Sequence, residues 1–523
     1  NTLQRKALAA RFLKQATFGH SMDDIDALAE TDLDFAAWID DELAKPAEYH
    51  LAHYLTYPLS NLTYPPTWEI PVPRGLVKSC VWWDKVILGE DQLRQRIAWA
   101  LSQIFVLGDA GSNARGYPKQ WLTYYDILVR NAFGNFRDLL QEVTLSGKMG
   151  YYLTYVNNEK ARGYQLPDEN YAREVMQVFT IGLWLLNNDG TLILDDDGNA
   201  IPTYDNFHIA ELAKVFTGLQ YEFYKGIYHR PNRVDPMIVR NENRHDKTAK
   251  ELVDGTILPG GRDTMVDITE ALDVLFNHPN TPPFISFRLI QRFVSSNPSP
   301  QFVERVSHVF IDNGEGVRGD LGAVIKAILL DPEARDAGYM VEQGRGKLRE
   351  PILKFTQLCR AFKLRSNAAN KNIFWFRSLI EEFGMAPYNA PDVFNFYLPT
   401  YVPHGDIQDH GLVAPEFQIL DDSTGLTTFH IFRGLIEEGM GGTVAAGYPP
   451  RPTLDYSGEW ALAKDAPALI DHLDLLLTHQ TMAQNTKDII IEAVEAIPSF
   501  FAKARVQRAV LLVSISPEFA TLE

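Results

Sequence analysis

The chain has 523 residues, 46% hydrophobic and 11% aromatic, a composition that builds a large core and excludes a disordered or low-complexity protein. Its 49 Lys and Arg against 67 Asp and Glu give a net charge of -18, so the average surface repels nucleic acid and anionic lipid. The longest apolar runs, such as 509–513, fall far short of the ~20 residues of a membrane helix, so no bilayer span is expected.

Along the chain, apolar positions recur with the 3.6-residue helical period and predict helices over 3–16, 22–30, 93–105, 118–131, 168–186, 205–217, 265–277, 283–294, 300–311, 320–331, 349–363, 371–383, 465–478, 482–496 and 502–514. Strand signals are confined to 191–194 and 199–203, which flank the acidic turn Asp195-Asp196-Asp197-Gly198 and predict one β-hairpin near 190–204. The turn faintly resembles a calcium loop, but the ligand spacing is wrong and the bidentate glutamate is missing. Two long loops follow, the Pro-rich 385–416 and the Gly-rich 439–460, and either could wall a cleft. No solenoid period is present. The expected architecture is mainly α, an irregular multi-helix single domain over 1–523 with a small β-hairpin excursion and long ordered loops.

Cys80 and Cys359 are too few for a disulfide framework and too scattered for a four-ligand zinc site, leaving one long-range disulfide open. The first residue is Asn1 rather than Met, which suggests that a signal segment has been removed. Gly314-Glu315-Gly316-Val317-Arg318-Gly319 has the letters of a dinucleotide-binding loop but follows a helical stripe rather than a strand; a helix C-cap, a tight turn and Asp320 as the next N-cap explain it. The motifs of zinc metalloproteases, phosphate-binding loops, serine-hydrolase elbows and Cys-x-x-Cys redox sites are all missing.

The densest polar cluster is Asp168-Glu169-Asn170-Tyr171-Ala172-Arg173-Glu174, with Asp168 as the expected N-cap. Arg173 falls one turn after Glu169 on the same face, within ion-pair reach, while Glu174 lies about 140° away around the axis. One reading is a structural brace in which Glu174 pairs Arg94 or Arg96. The other makes the two carboxylates an acid–base pair tuned by Arg173. A second cluster, His245-Asp246 with Lys250, fits a base, a metal ligand or a solvated turn. In the Pro-rich loop, Asn395 within Phe394–Tyr397, together with His404, fits a ligand platform or an aromatic plug. Trp82, Trp83, Trp99 and Trp121 read as core.

Several of these segments in order resemble one bacterial family, the domain of unknown function 1800. They are 10–13 with 17–19, Arg94–Ala98, Asn131–Asp138, Glu169–Glu174, Val215–Gly218, His245-Asp246 with Lys250, Lys347–Pro351, Phe394–Phe396, Ala414–Phe417 and Ser516–Phe519, spread over nearly the whole chain. The resemblance implies an exported protein, periplasmic or secreted, often encoded beside a second exported family similar to sulfatases. In the Asn131–Asp138 segment, Gly134 is expected to end one helix in a left-handed cap and Asn135 to cap the next.

The leading expectation is a hydrolase acting on an extracellular or envelope polymer such as a polysaccharide, with Glu169, Glu174, His245 and Asp246 catalytic and Arg173, Arg94, Lys250, Asn395 and His404 binding substrate. The alternatives are a non-catalytic envelope binding or assembly partner of the sulfatase-like protein, and a metal-dependent oxidoreductase using His208, His245 and carboxylates. No cofactor is read from the sequence, and a divalent metal stays open.

Overall fold

Helices form here wherever an inward apolar stripe is bounded by residues that cap its ends. The computed structural model describes residues 2–56, 77–109, 117–224, 231–336, 338, 344–365, 376, 382–440 and 451–522, and α-helix dominates them. In chain order the helices are α1 (Thr2–Ala16), α2 (Met22–Glu30), α3 (Phe35–Ala44), α4 (His50–Thr56), α5 (Val77–Leu88), α6 (Gln92–Ser102), α7 (Pro118–Arg130), α8 (Phe136–Leu145), α9 (Gly147–Tyr152) and α10 (Asn170–Gln177). There follow α11 (Asn206–Val215), α12 (Thr264–Asn277), α13 (Thr281–Phe293), α14 (Pro300–Ile311), α15 (Leu321–Leu330), α16 (Pro332–Arg335) and α17 (Pro351–Ala361). The last are α18 (Asp406–Asp409), α19 (Asp422–Glu437), α20 (Ala466–Thr478), α21 (Gln484–Glu495), α22 (Ala502–Ser514) and α23 (Pro517–Ala520). One hydrophobic core joins Ala9 in α1 to Phe519 in α23. Its aromatic centre is Trp82, edge-on to Phe18, Trp83 and Trp99, with the indole N–H donating to Tyr125 Oη at 2.9 Å.

The mainly helical expectation holds, and several boundaries differ from it. Helices α3, α4, α9 and α19 were not foreseen, and most of the helix expected over 371–383 lies outside the described residues. The one expected over 168–186 stops at Gln177, because the β-branched Val178, Thr180 and Ile181 lead into Gly182 at φ +71°, whose N–H returns to Met176 O at 3.0 Å. A Cβ on Gly182 would lie 2.8 Å from the Phe284 ring, so only glycine allows the chain to turn there. Asp168 is not the N-cap; its carboxylate accepts the Asn170 N–H and the Thr154 hydroxyl instead. Asn135 caps α8 as expected, but Gly134 does not take a left-handed conformation. Asp320 caps α15 beyond the glycine turn. Both cysteines are buried free thiols, and burial pushes their pKa values up.

The expected hairpin is a three-segment ribbon with bridges Trp184 to Pro202, Leu186 to Leu192 and Leu194 to Ala200. Asp195 turns its tip by accepting the backbone N–H groups of Asp197 and Asn199, which accounts for the acidic turn without a cation. Asn280, at the N-terminus of α13, fastens the ribbon: its amide donates to Ile181 O and Trp184 O at 2.8 and 2.7 Å and accepts from the Leu186 N–H at 2.9 Å.

Long cations reach across the interior to carbonyls at helix ends. Arg360 donates to Gly19 O and Ile87 O, both at 2.7 Å; Arg349 reaches Phe519 O, Arg11 reaches Ala334 O, and Arg96 reaches Arg292 O at 2.7 Å. Lys347 donates to Gln291 O at the end of the same α13.

Asn280→Ala strands two inward carbonyls and an N–H at the base of the ribbon. It is expected to cost about 3 kcal/mol in urea unfolding, with hydrogen exchange accelerating first at Leu186 and Ile193.

Candidate functional site

A cavity of about 430 Å³ opens where the end of α10, the face of α13, the ribbon and the 393–400 loop meet. Phe284, Arg288 and Arg292 follow one another four residues apart on α13 and so share one face, and all three line the cavity. Gln177 and Val178 close the opposite side, and the partly exposed side chains of Leu183, Trp184, Leu192 and Phe394 form an apolar mouth. The back is polar: Gln103 donates to Glu350 Oε1 at 2.9 Å and accepts from the Asn395 amide at 3.1 Å. Glu350 also accepts the Trp99 indole N–H at 2.7 Å and the Tyr397 hydroxyl at 2.5 Å. Burial alone would raise the Glu350 pKa, but Arg96, Lys347 and Arg292 overrule it and hold the carboxyl below its usual range.

Glu174 precedes Gln177 and Val178 by three and four residues, so it shares their side of α10, behind rather than among the residues that line the cavity. It is 9% exposed, and its Oε2 has no hydrogen-bond partner among the described residues. Burial is the main cause that raises its pKa; Arg173 opposes the rise and Asp392 adds to it. The phenols of Tyr152 and Tyr204 are pushed up to about 12, chiefly by burial and also by the charge of Glu174. The pairing of Glu174 with Arg94 or Arg96 is not formed: Arg94 lies over the Phe133 ring at 4.3 Å, and Arg96 lies over Phe293 at 4.7 Å.

Glu169 and Arg173 form the expected ion pair at 3.2 Å, with both side chains about two-fifths exposed at 43% and 41%. They brace the outer face of α10 while Glu174 turns inward.

The order of these segments along the chain matches one family from residue 11 to residue 521. The chain belongs to the DUF1800 family. Its description is that of a protein of unknown function. No curated protein and no solved structure matches the chain.

In this DUF1800 protein the second expected cluster is sealed inside the core. His245 has no exposed surface; its Nδ1 faces Thr217 O at 3.0 Å and Thr217 Oγ1 at 3.1 Å, and its Nε2 faces Asp267 Oδ2 at 3.1 Å. Hydroxyl, imidazole and carboxylate stand in the order of a hydrolase triad, but Thr217 is wholly buried, donates to Lys214 O and accepts the Asp246 N–H, so its oxygen is fully occupied. Lys250 Nζ reaches Asp267 at 2.7 Å and Arg262 Nε reaches it at 3.0 Å. Asp246 accepts the N–H and hydroxyl of Thr248. These contacts make the cluster an interior tie between α11, α12 and the strand pair of Lys250–Glu251 with Ile257–Leu258.

Among the expected substrate-binding residues, Asn395 stands directly behind the cavity through Gln103, whereas Arg94, Lys250 and the surface His404, which meets Gln408, do not reach it. The loop aromatics divide: Phe396 and Tyr397 plug the core, and Phe394 faces the cavity. His208 caps its own helix with Asp205, and among the described residues no three His, Cys, Asp or Glu side chains group to hold a metal ion.

Arg288, Arg292, Gln103, Gln177 and Asp392 were missed by sequence reasoning. One signal was available: no acidic residue occurs between Asp273 and Glu304 in an otherwise acidic chain.

Asp267 carries the sealed cluster. Burial would raise its pKa, but the bonds from His245 and Lys250 hold it below the usual carboxylate range. Its stabilisation is therefore in place above that range and is lost as falling pH protonates the carboxyl. Asp267→Asn is expected to lose about 3 kcal/mol at neutral pH by guanidinium unfolding. The gap to wild type should hold constant down to the ordinary aspartate range near about pH 4 and narrow only below it.

Proposed function

We propose that the chain is a hydrolase of an extracellular or envelope polymer in which Glu174 is the proton donor. The observation that carries the reading is a buried carboxyl, with a raised pKa and an oxygen unpartnered among the described residues, behind the α10 residues that line a cavity of about 430 Å³. A rise in this direction suits a general acid, because burial favours the protonated form that delivers a proton to a leaving group. Asp392, exposed and next to the cavity residues Val393 and Phe394, is the carboxylate suited to activate water; Glu169, turned outward with Arg173, takes a positioning role at most. The polymer substrate and a periplasmic or secreted setting rest on the family resemblance alone.

A second reading is favoured by one observation. Leu183, Trp184, Leu192, Leu194 and Phe394 stand in solvent around the mouth, as they would on a non-catalytic surface that receives another envelope component, including a sulfatase-like exported protein.

Glu174→Gln separates the two. Because the raised pKa means that native stability is lost as pH rises through it, the variant is expected to melt at or above the wild-type temperature at pH 8. On a panel of envelope and extracellular polysaccharides, followed by release of reducing ends, it should lose at least ~100-fold in rate. A wild-type protein that releases nothing, or a variant that cleaves as well as wild type, would sink the hydrolase reading.

A further inference from the structure

Two arginines line the cavity, and each rests against a ring. Arg288 contacts the face of Phe284 at 4.8 Å and Arg292 that of Tyr397 at 4.7 Å, and among the described residues neither guanidinium makes a hydrogen bond or an ion pair. Arg292 is only 4% exposed, and its Nε is both buried and unpartnered. A ring face attracts a cation but leaves the N–H fork unsatisfied.

The surrounding charges do not balance either. Arg96, Arg292 and Lys347 act on Glu350, Lys347 is paired with Glu416 at 2.7 Å, and Arg288 stands one turn from Arg292 with no carboxylate paired to it among the described residues; the Glu350 oxygens are taken by Trp99, Gln103 and Tyr397. Four cations against two carboxylates leave an excess of two positive charges beside the cavity, in a chain whose 67 acidic residues would readily have supplied a partner. Two like charges one turn apart on a helix also repel each other. Burial of cations without counter-ions is costly, and such groups persist where something outside the fold supplies the missing charge.

We infer that this cavity is a receptor for an oxyanion, a carboxylate, sulfate or phosphate, carried on an apolar ring-bearing group, with Arg288 and Arg292 holding the anion and the mouth holding the ring. The guanidinium fork matches two oxygens of such a group, which a lysine point charge does not. Phe284, Trp184 and Phe394 offer ring faces and edges, and the volume lies in the range of small-ligand sites. Gln103 and Gln177, which also line the cavity, supply neutral donors. The inference goes beyond the acid role of Glu174 and does not depend on it.

Calorimetric titration and thermal melting of the full chain at low salt, with phenyl phosphate, phenyl sulfate, benzoate, inorganic sulfate and phenol, test it. At least one ring-bearing anion should bind and raise the melting temperature, with phenol and inorganic sulfate each at least tenfold weaker. Arg288→Met should weaken that binding at least tenfold while melting, without ligand, at or above the wild-type temperature, since an unpaired cation is removed. Arg292→Lys, which keeps the charge and loses the fork, should also weaken it. Absence of binding by all three ring-bearing anions, equal binding of phenol, or an Arg288→Met protein that binds like wild type overturns the inference. So does an Arg288→Met protein destabilised as though an internal ion pair had been broken. Glu174→Gln should bind the same anions within twofold, so a failure of hydrolysis and a failure of anion binding are read separately.

Discussion

Each helix ends in carbonyls with no partner of their own, and a fold that packs many helix ends into its interior must bring a donor to every one. Here long basic side chains do it. Arg360 ties the end of α5 and the α1–α2 turn to α17, Arg349 and Lys14 hold the carbonyls of α23 and its surroundings, and Arg318 caps the end of α12 at Phe276 O. These cations follow the sign of the helix dipole, and each bond joins elements far apart in sequence. Irregular packing is tolerated because the arginines reach wherever a carbonyl is left.

The same device shapes the cavity. The C-terminal carbonyls of α13 are taken by Arg96 and Lys347 from one side, which draws positive charge toward that helix end. The side chain of Arg292 leaves on the other side, toward the cavity, and Arg288 stands one turn before it. The cationic character of the recess is thus partly a product of how the fold closes its own backbone, with Glu350 and Glu416 placed to offset only part of it. Asn280 and Gly182 then set the ribbon against α13, so the apolar mouth is built by contacts that are complete without a ligand.

What could be read from the sequence was whatever depended on neighbours along the chain. The Glu169–Arg173 pair, the ribbon and its acidic turn, the Asp320 cap and most helices with a clean stripe are local, and they stand as expected. The end of α10 was misjudged because the apolar stripe runs on past Gln177 while Gly182 and the Phe284 ring, from α13, decide the turn. His245 has the composition of a site, yet its fate was set by Asp267, 22 positions away, and by Lys250 and Arg262 closing on that carboxylate. Arg288 and Arg292 resemble the polar face of an ordinary amphipathic helix; only the three-dimensional arrangement shows that this face lines a cavity and that, among the described residues, neither guanidinium is hydrogen-bonded to an acid.

The recess sets two cations beneath the surface of a chain whose net charge is -18. Within a Debye length of about 8 Å of the outer surface, a small anion meets the negative field of the surrounding carboxylates and is repelled; inside the recess, the two guanidiniums dominate. Entry thus passes through an outer barrier before an inner well. Raising the ionic strength from low values thins the barrier more than the sheltered well, so anions enter faster with added salt, the reverse of the response of a protein that offers them a basic face.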